Sequence, residues 1–291
     1  MHSLWYTKHR RSRARDPGNR LHTAILLLCL LPTGLALCLY VRGLPSPAAA
    51  QDMMRHVDLA SPRMTEAEMT REEVAALVTA GEQPADLSRK RLSGLDLSGL
   101  DFRGAILRGA YINKANLSGA QLDGAILDGA WGLGADFSGA SLREAAIFGA
   151  QLRGADLTGA DLTGARIAAD MTGAILRDAI LREASMGADM RNQSMGLMRA
   201  VLRSADLDGA DLAGADLLRA DLRFASLRGA DLSGAHLSGA ELAGADLTGA
   251  NVAGADFEGA DLARARLVSL VGMAEALNLD RARNRDRAVW E

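Results

Sequence analysis

The chain has 291 residues and a formal net charge of −3 at pH 7. A charge so close to zero does not point to a polyanionic or polycationic partner. Aromatic residues make up only 4% of the sequence although apolar residues make up 48%. Because a conventional globular core takes much of its buried area from Phe, Tyr and Trp, this composition predicts a core built from small repeated pieces.

The N-terminal segment has the charge pattern of an export signal. An uncharged run from Thr23 to Val41 would span about 28 Å as a helix, which is close to the hydrocarbon thickness of a bilayer. A basic leader before an apolar run keeps the N-terminus in the cytoplasm and sends the following chain across the membrane. The leader, residues 1–20, carries six basic side chains against Asp16: Lys8, Arg10, Arg11, Arg13, Arg15 and Arg20.

Two interpretations of the hydrophobic segment, residues 21–50, remain open. Residues 48–50 are all Ala and supply the small side chains that a signal peptidase requires, which favours a cleaved signal peptide. The long basic leader favours an uncleaved anchor that spans the membrane through residues 21–41. Both interpretations predict an exported domain, either periplasmic or anchored in the inner membrane with the repeat domain outside the cytoplasm.

A linker and a capping helix are predicted for residues 51–84. Thr70 and Glu73 have the spacing of a capping box, in which the side chain of each residue accepts a hydrogen bond from the backbone N–H of the other. The apolar residues Val74 and Val78 follow the box. We expect this helix to cover the first edge of the domain that comes next.

Five-residue units fill most of the remaining chain, as in ADLTG at 155–159 and 245–249. Sixteen consecutive units run from residue 85 to 164, and fourteen more run from 200 to 269. In these 30 units the central residue is Leu, Ile, Val or Phe 29 times, the first residue is Ala 27 times and the fifth is Gly 22 times.

A period of five fits neither regular element. On an α-helix, five residues rotate the side-chain direction by about 140°, so that the leucines would face every side. In one continuous strand, the odd spacing would send alternate leucines to opposite faces. Both conflicts disappear if each unit contains a corner, with its first and third residues inward and Gly at the left-handed position of a tight turn. The sequence therefore predicts a stack of short parallel strands around an aliphatic axis.

The tandem pattern A-(D/N)-L-x-x resembles the pentapeptide-repeat family over residues 85–269. The resemblance implies an all-β solenoid, namely a right-handed quadrilateral parallel β-helix in which four units make one coil of about 20 residues. Central residues one coil apart then stack in columns. The predicted structural core includes Leu97, Leu117, Phe137, Leu157, Leu207, Leu227 and Leu247.

The repeat is irregular between residues 165 and 199. Short units of four residues at 165–168 and 184–187 shift the phase. Methionines replace leucine at several central positions, where we interpret them as fillers of a locally distorted core. The methionines of this stretch are Met171, Met186, Met190, Met195 and Met198.

A second irregularity is the unit at 130–134. Gly132 stands where a core leucine is expected and is predicted to leave a gap. Trp131 is predicted to point outward, which makes it the candidate contact for a partner.

The C-terminal residues 270–291 are predicted to form a helical cap. Ala274, Leu277 and Arg281 are spaced roughly one helical turn apart. A stack of strands exposes an unpaired edge at each end, so short helical caps are expected at both ends of the repeat.

No catalytic, cofactor or metal site is predicted. His236 is the only histidine within the repeats, and Cys29 and Cys38 both lie in the hydrophobic segment. The sequence has neither a zinc-ligand spacing nor a phosphate-binding loop. The second position of many units is Asp, which we interpret as a soluble wall whose carboxylates accept backbone N–H groups at the corners.

These features predict a non-catalytic, exported module that presents a rigid surface to a protein partner. The family resemblance implies an alternative, because some pentapeptide-repeat proteins mimic nucleic acid and inhibit DNA topoisomerases. Residues 85–269 carry 24 acids and 19 bases, a low charge density beside that of a duplex. A nucleic-acid partner is therefore not expected, and a secreted effector is the remaining alternative.

Overall fold

The computed structural model describes residues 57–80, 84–188 and 198–291. The basic leader, the hydrophobic segment, Met190 and Met195 lie outside these residues. Within the described ranges, no helix is both long enough and apolar enough to cross a membrane.

Parallel backbone bridges join equivalent residues of consecutive coils. Asp96 pairs with Asn116, Asn116 with Asp136, and Asp136 with Asp156, so each of these coils consists of four repeat units. The amide of a central residue donates to the next coil, as from Leu117 N to the carbonyl of Asp136 at 2.6 Å. Most sides of a coil pair at a single residue, and the longer strands β1 (Ala146–Gln151) and β2 (Arg166–Asp170) pair in parallel.

The bridges follow four ladders along the stack, and each ladder defines one face. Face 1 begins at Asp86, face 2 at Arg91, face 3 at Asp96 and face 4 at Asp101. The second residue of each unit points outward from its face, while the first and third residues point inward because side chains alternate along an extended segment. The four-sided coil agrees with the expectation from the family resemblance.

The interior is one continuous cluster of alanines and larger aliphatic residues. The seven predicted core residues are each at most 1% exposed: Leu97, Leu117, Phe137, Leu157, Leu207, Leu227 and Leu247. Met171 and Met186 occupy central positions and are fully buried. Gly132 leaves no open gap, because a Cβ atom placed there would lie 2.8 Å from Leu152 and 3.4 Å from Ile112. The coils before and after Gly132 therefore fill the space that its missing side chain would have left.

The fifth residue of a unit turns the corner in the left-handed conformation. At several corners where this residue is larger than Gly, its side chain extends over the corner glycine of the next coil. Phe224 has a φ of 58°, and a Cβ atom placed on Gly244 would lie 2.6 Å from its ring. Arg219 lies over Gly239 in the same way, at 3.2 Å. A side chain on Gly244 or Gly239 would therefore clash with the corner residue of the coil before it.

The irregular stretch changes the register at two corners. Ala146 pairs with Arg166, whereas Gln151 pairs with Asp170, so the coil becomes shorter by a single residue, as the short unit at 165–168 predicts. Asp170 in turn pairs with Val201, 31 residues later, so the next coil is eleven residues longer than a regular coil of 20. The additional residues enter where the chain passes from face 1 to face 2.

Two helices precede the first coil. Helix α1 spans Pro62–Thr65, and helix α2 spans Arg71–Thr79 with both bonds of the capping box between Thr70 and Glu73. Val74 of α2 is fully buried and belongs to the core cluster. The guanidinium of Arg71 donates to the carbonyls of Asp96 and Ser98, at 2.6 and 2.9 Å. Helix α2 therefore packs against the first coil of the stack.

The helical cap predicted for residues 270–291 is not confirmed, because the chain does not form a continuous helix there. The chain forms three single 3-10 turns, Met273–Glu275, Leu279–Arg281 and Arg285–Arg287. Left-handed residues precede each turn and prevent a continuous helix: Gly272, Asn278 and Asn284. The amides of Leu277, Arg283 and Val289 instead donate to the carbonyls of the preceding coil, at 2.8 Å each.

Trp290 lies at the C-terminal end of this last coil and is packed against the core cluster together with three alanines. Its Nε1 donates to the carbonyl of Arg285 at 3.2 Å, and the Arg285 guanidinium lies 5.1 Å from the centre of its ring. Leu279 is only 8% exposed and joins the cluster. The end of the core is thus packed against this last coil, whose last three bridges to the coil before it span 21, 22 and 23 residues instead of 20.

We expect Leu157→Asp to unfold part of the stack, because it buries an unpaired carboxylate in the core column at a cost of several kcal/mol. Leu157→Met, which keeps the side chain apolar and similar in volume, should cost less than about 1.5 kcal/mol. Urea denaturation followed by circular dichroism measures both. Equal midpoints for the two variants would contradict the inward assignment of Leu157.

Candidate interaction surface

The outward aspartates are part of the backbone hydrogen-bonding scheme. In 17 units the second residue, Asp in 15 and Asn in two, accepts the amide of the fourth residue of its own unit. Asp136, for example, accepts from Ser138 N at 2.8 Å. This amide does not take part in the ladders, so the carboxylate supplies the partner that the ladder leaves out.

A hydrogen bond between consecutive coils replaces this bond in four units whose second residue is not Asp or Asn. In these four units the acceptor is an Asp or Asn that is the fourth residue of the equivalent unit in the preceding coil. Asp123 accepts from Arg143 N at 3.2 Å, and Asp128 accepts from Phe148 N at 3.1 Å. In the same geometry, Asn113 accepts from Leu133 N and Asp208 accepts from Arg228 N. Sequence reasoning predicted the local bond but missed this bond between coils, although the spacing of the partners by one coil is visible in the sequence.

Asp221 on face 2 is the one fully buried acid among the residues that the structure describes. Arg223 donates to it from Nε and Nη2, at 2.8 and 2.6 Å, and Arg203 donates from Nη2 at 2.7 Å. Burial by itself would raise the pKa of Asp221, but the hydrogen bonds from the two arginines outweigh it and lower the pKa to about 2.

Arg199 ties the end of the inserted segment to this cluster. Its side chain is 10% exposed and lies 2.9 Å from Glu241 and 4.0 Å from Asp221. It also donates to the carbonyl of Arg219 at 2.6 Å. Three arginines and two acids thus hold three consecutive coils together on face 2. Sequence reasoning missed this network, and the signal was a pair of arginines, Arg203 and Arg223, that stand one coil apart beside Asp221.

A shallow groove of about 550 Å³ lies beside this network, where face 1 meets face 2. Arg199, Arg219 and Arg283 line it together with Glu241 and Glu258. The charges alternate, and Arg283 donates to the carbonyl of Gly259 at 2.8 Å. Within the described part of the chain, no cluster of three His, Cys, Asp or Glu residues could hold a metal ion.

Face 2 is covered at its N-terminal end by the segment that carries α1. The Arg63 guanidinium lies 5.0 Å from the centre of the Tyr111 ring, and Asn113 donates to the carbonyl of Met64 at 2.9 Å. Glu68 pairs with Arg91 at 3.2 Å. Face 3 is contacted at its N-terminal end by Arg71 of α2, which lies 3.4 Å from the Asp96 carboxylate.

Trp131 stands outward on face 2, directly after Tyr111 in the ladder, and is half-buried. The structure thus places this candidate contact on the face whose first coils are occupied by the chain's own N-terminal segment. His236 lies on face 1 between Asp216 and Asp256, and it is exposed.

Comparison with known proteins shows the family of this chain. The family model described as "Pentapeptide repeats (8 copies)" matches residues 85–130, 134–164, 197–234 and 225–264. HetL, a pentapeptide-repeat protein involved in heterocyst differentiation regulation in the cyanobacterium Nostoc, is 31% identical; the match covers 76% of this chain and 94% of HetL, with a TM-score of 0.41. The chain belongs to the pentapeptide-repeat family. Membership of this family implies a right-handed β-helix.

Other solved pentapeptide-repeat proteins are more distant from this one. Full-length QnrB1, a plasmid-mediated fluoroquinolone resistance protein, is 20% identical; the match covers 62% of this chain and 84% of QnrB1, with a TM-score of 0.38. A pentapeptide-repeat protein of the Arabidopsis thaliana thylakoid lumen is 26% identical; the match covers 52% of this chain and 70% of that protein, with a TM-score of 0.19. A comparison with curated proteins found no match.

We expect Asp136→Ala to destabilise the repeat by about 1 kcal/mol, because the amide of Ser138 loses its acceptor. Asp136→Asn is the matched control, since Asn116 and Asn251 make the same bond in this chain. Urea denaturation of the two variants compares them directly. If the Asn variant lost as much stability as the Ala variant, the carboxylate would be acting through its charge rather than as an acceptor.

Asp221 gives a prediction about pH. Its pKa is about 2 in the folded chain, below the ordinary value of 3.8, so ionised Asp221 stabilises the fold above about pH 4 and loses this contribution as the pH falls toward 2. We expect Asp221→Asn to cost about 2 kcal/mol at neutral pH and progressively less below about pH 4. Urea denaturation over this pH range measures the difference.

Asp231→Asn is the control for this pH series, because Asp231 has no ion-pair partner among the described residues and accepts bonds that Asn also accepts. A wild-type advantage over Asp221→Asn that stayed constant down to pH 2 would contradict the lowered pKa.

Proposed function

We propose that this pentapeptide-repeat protein is an exported, non-catalytic module that binds a protein partner through the outer wall of its coils. The observation that carries the proposal is that the inward and outward positions of each unit have different roles. Most inward positions hold Ala, Leu or another apolar residue of one continuous core, and most backbone amides are bonded between coils. The outward second and fourth positions therefore form the exposed wall of the repeat, where a partner can be contacted.

The surface chemistry supports binding rather than catalysis. Enzyme sites combine a concave, water-excluding pocket with titratable groups whose pKa values are shifted toward neutrality. The groove between faces 1 and 2 is shallow, and its arginines are interleaved with glutamates. The strongest pKa shift on this surface, that of Asp221, keeps its carboxylate ionised and paired with arginines. We therefore assign the Asp221 network to stability.

The nucleic-acid-mimic alternative receives less support from the arrangement of charges. A mimic of duplex DNA needs long rows of uncompensated negative charge. Here Asp161, Asp206, Asp211 and Asp246 each pair with an arginine at their own or a neighbouring coil. Export of the domain would also separate it from cytoplasmic DNA.

Export is tested with alkaline phosphatase fused after residue 56, because this enzyme requires disulfides that form outside the cytoplasm. We expect an active fusion with the wild-type leader and an inactive one after Leu28→Arg, since a central arginine disfavours membrane insertion. N-terminal sequencing of the mature chain distinguishes a cleaved signal peptide from an anchor. An inactive wild-type fusion would contradict export.

Partner binding is tested by affinity capture of the tagged full-length protein from intact envelopes after mild cross-linking. We expect one envelope protein to be recovered in a stoichiometric complex. The Leu157→Asp variant, whose stack is disrupted, is the control for binding that does not depend on the fold. Recovery of no partner, or equal recovery with the disrupted variant, would contradict an interaction module.

A further inference from the structure

One coil interrupts the acidic character of two neighbouring faces. Residues 174–183 read AILRDAILRE, two nearly identical units in succession. Ile175 takes the outward position on face 3 and Ile180 takes it on face 4, and each is 37% exposed. The corner between the two faces is Asp178, so the isoleucines stand on either side of one edge of the solenoid.

The neighbours of these isoleucines along the ladders are all aspartates. Ile175 pairs with Asp156 before it and Asp206 after it. Ile180 likewise pairs with Asp161 and Asp211. An apolar side chain on a sheet is normally stabilised by an apolar neighbour directly across from it, and neither isoleucine has one.

The isoleucines of face 1 show the ordinary arrangement. Ile106 and Ile126 pair directly with each other on consecutive coils. Both are half-buried. Ile175 and Ile180 therefore differ from them in being isolated among carboxylates.

Several features of the same coil oppose stability. Without Asp at the second position, the amides of Arg177 and Arg182 donate to no atom of the described residues, and the same is true of Arg108 and Asp128 in the units of Ile106 and Ile126. The two corners carry acids in place of glycine, with φ values of 55° at Asp178 and 56° at Glu183, a conformation that strains side-chain-bearing residues. The corners therefore separate this coil from the units of Ile106 and Ile126, whose corners are Gly109 and Gly129. A local strain beside exposed apolar side chains is consistent with a functional surface.

The charge around the isoleucines indicates the chemistry of the partner. Arg177 and Arg182 are each committed to an aspartate of the next coil, Asp206 and Asp211, at 2.5 Å. Four further acids of this region have no ion pair among the described residues: Asp156, Asp178, Glu183 and Asp208. Exposed apolar groups within a surplus of carboxylates are complementary to a segment that carries both apolar and basic side chains.

We propose that the edge formed by Ile175, Asp178 and Ile180, which we name the isoleucine edge, is the docking site for a basic amphipathic segment of a partner protein. The proposal rests on the proposed function and specifies the face and the partner's chemistry. Such a segment places its apolar side chains on the isoleucines and its Lys or Arg side chains on the surrounding carboxylates. Anionic lipid and nucleic acid are disfavoured by the same carboxylates.

The variant Ile175→Asn/Ile180→Asn tests the edge. Asn adds no charge and supplies the acceptor that the amides of Arg177 and Arg182 lack, as Asn116 and Asn251 do elsewhere in this chain. The matched control is Ile106→Asn/Ile126→Asn on face 1. We expect the edge variant to keep its melting temperature within about 3 °C of the wild type. A much larger fall would assign the isoleucines to stability and overturn the proposal.

The binding probe is a fluorescent amphipathic peptide of about 14 residues, with Leu at i, i+3, i+4 and i+7 and Lys elsewhere. Its twin carries Glu in place of Lys. The full-length chain is held in nanodiscs of neutral lipid, and empty nanodiscs give the blank. Fluorescence anisotropy measures binding of each peptide to the wild type, the edge variant and the face 1 control.

We expect the Lys peptide to bind the wild type and the face 1 control equally, and the edge variant at least about tenfold more weakly. Added salt should weaken the binding. Equal binding to all three proteins, preference for the Glu peptide or no binding to the wild type would each overturn the proposal.

Affinity capture separates this proposal from the proposed function. An envelope partner that is recovered equally by the wild type and by the edge variant would overturn the isoleucine edge and leave the interaction module standing. Failure of the wild type to recover any partner would overturn the interaction module itself.

Discussion

A left-handed residue turns the backbone at nearly every fifth position, and the rest of the molecule depends on this regular corner. It keeps each straight side so short that only the first and third residues can face inward. The interior is therefore restricted to one small and one large apolar side chain per unit, which is why alanine and leucine dominate the sequence. It also aligns equivalent amides of consecutive coils, so that the ladders hold the stack together.

The corner also explains the chemistry of the outer wall. The ladder uses most amides of a unit but leaves that of the fourth residue without a partner. Asp at the second position supplies an acceptor within the unit, as Asp136 does, or Asp at the fourth position supplies one to the next coil, as Asp123 does. The acidic surface is consequently in large part a property of the fold, and it should not be taken by itself as a sign of nucleic-acid mimicry. The proposed isoleucine edge lies where this acid is replaced, at Ile175 and Ile180.

Departures from the repeat are accommodated by neighbouring coils rather than within the unit. Gly132 leaves no gap because Ile112 and Leu152 occupy the space from either side. Phe224 is tolerated at a corner because Gly244 stands under its ring. Asp221 is buried without loss of its charge because Arg203 comes from the coil before it. Each compensation joins residues about one coil apart, so it is recognised in the sequence only after the coil length is known.

The sequence by itself determined the five-residue period, the inward position of residues such as Leu157 and the capping box of Thr70 and Glu73, because these follow from local spacing and turn chemistry. It did not determine the C-terminal coil. Residues 270–291 have a spacing typical of a helix, but the preceding coil offers its carbonyls to their amides, and Gly272, Asn278 and Asn284 turn the chain so that it can use them. The tertiary structure also decided which outward residues share an edge, since Ile175 and Ile180 become neighbours only when the coil folds around the corner at Asp178. Local spacing fixes where a side chain points, whereas contacts between coils depend on registers that a single unit does not contain.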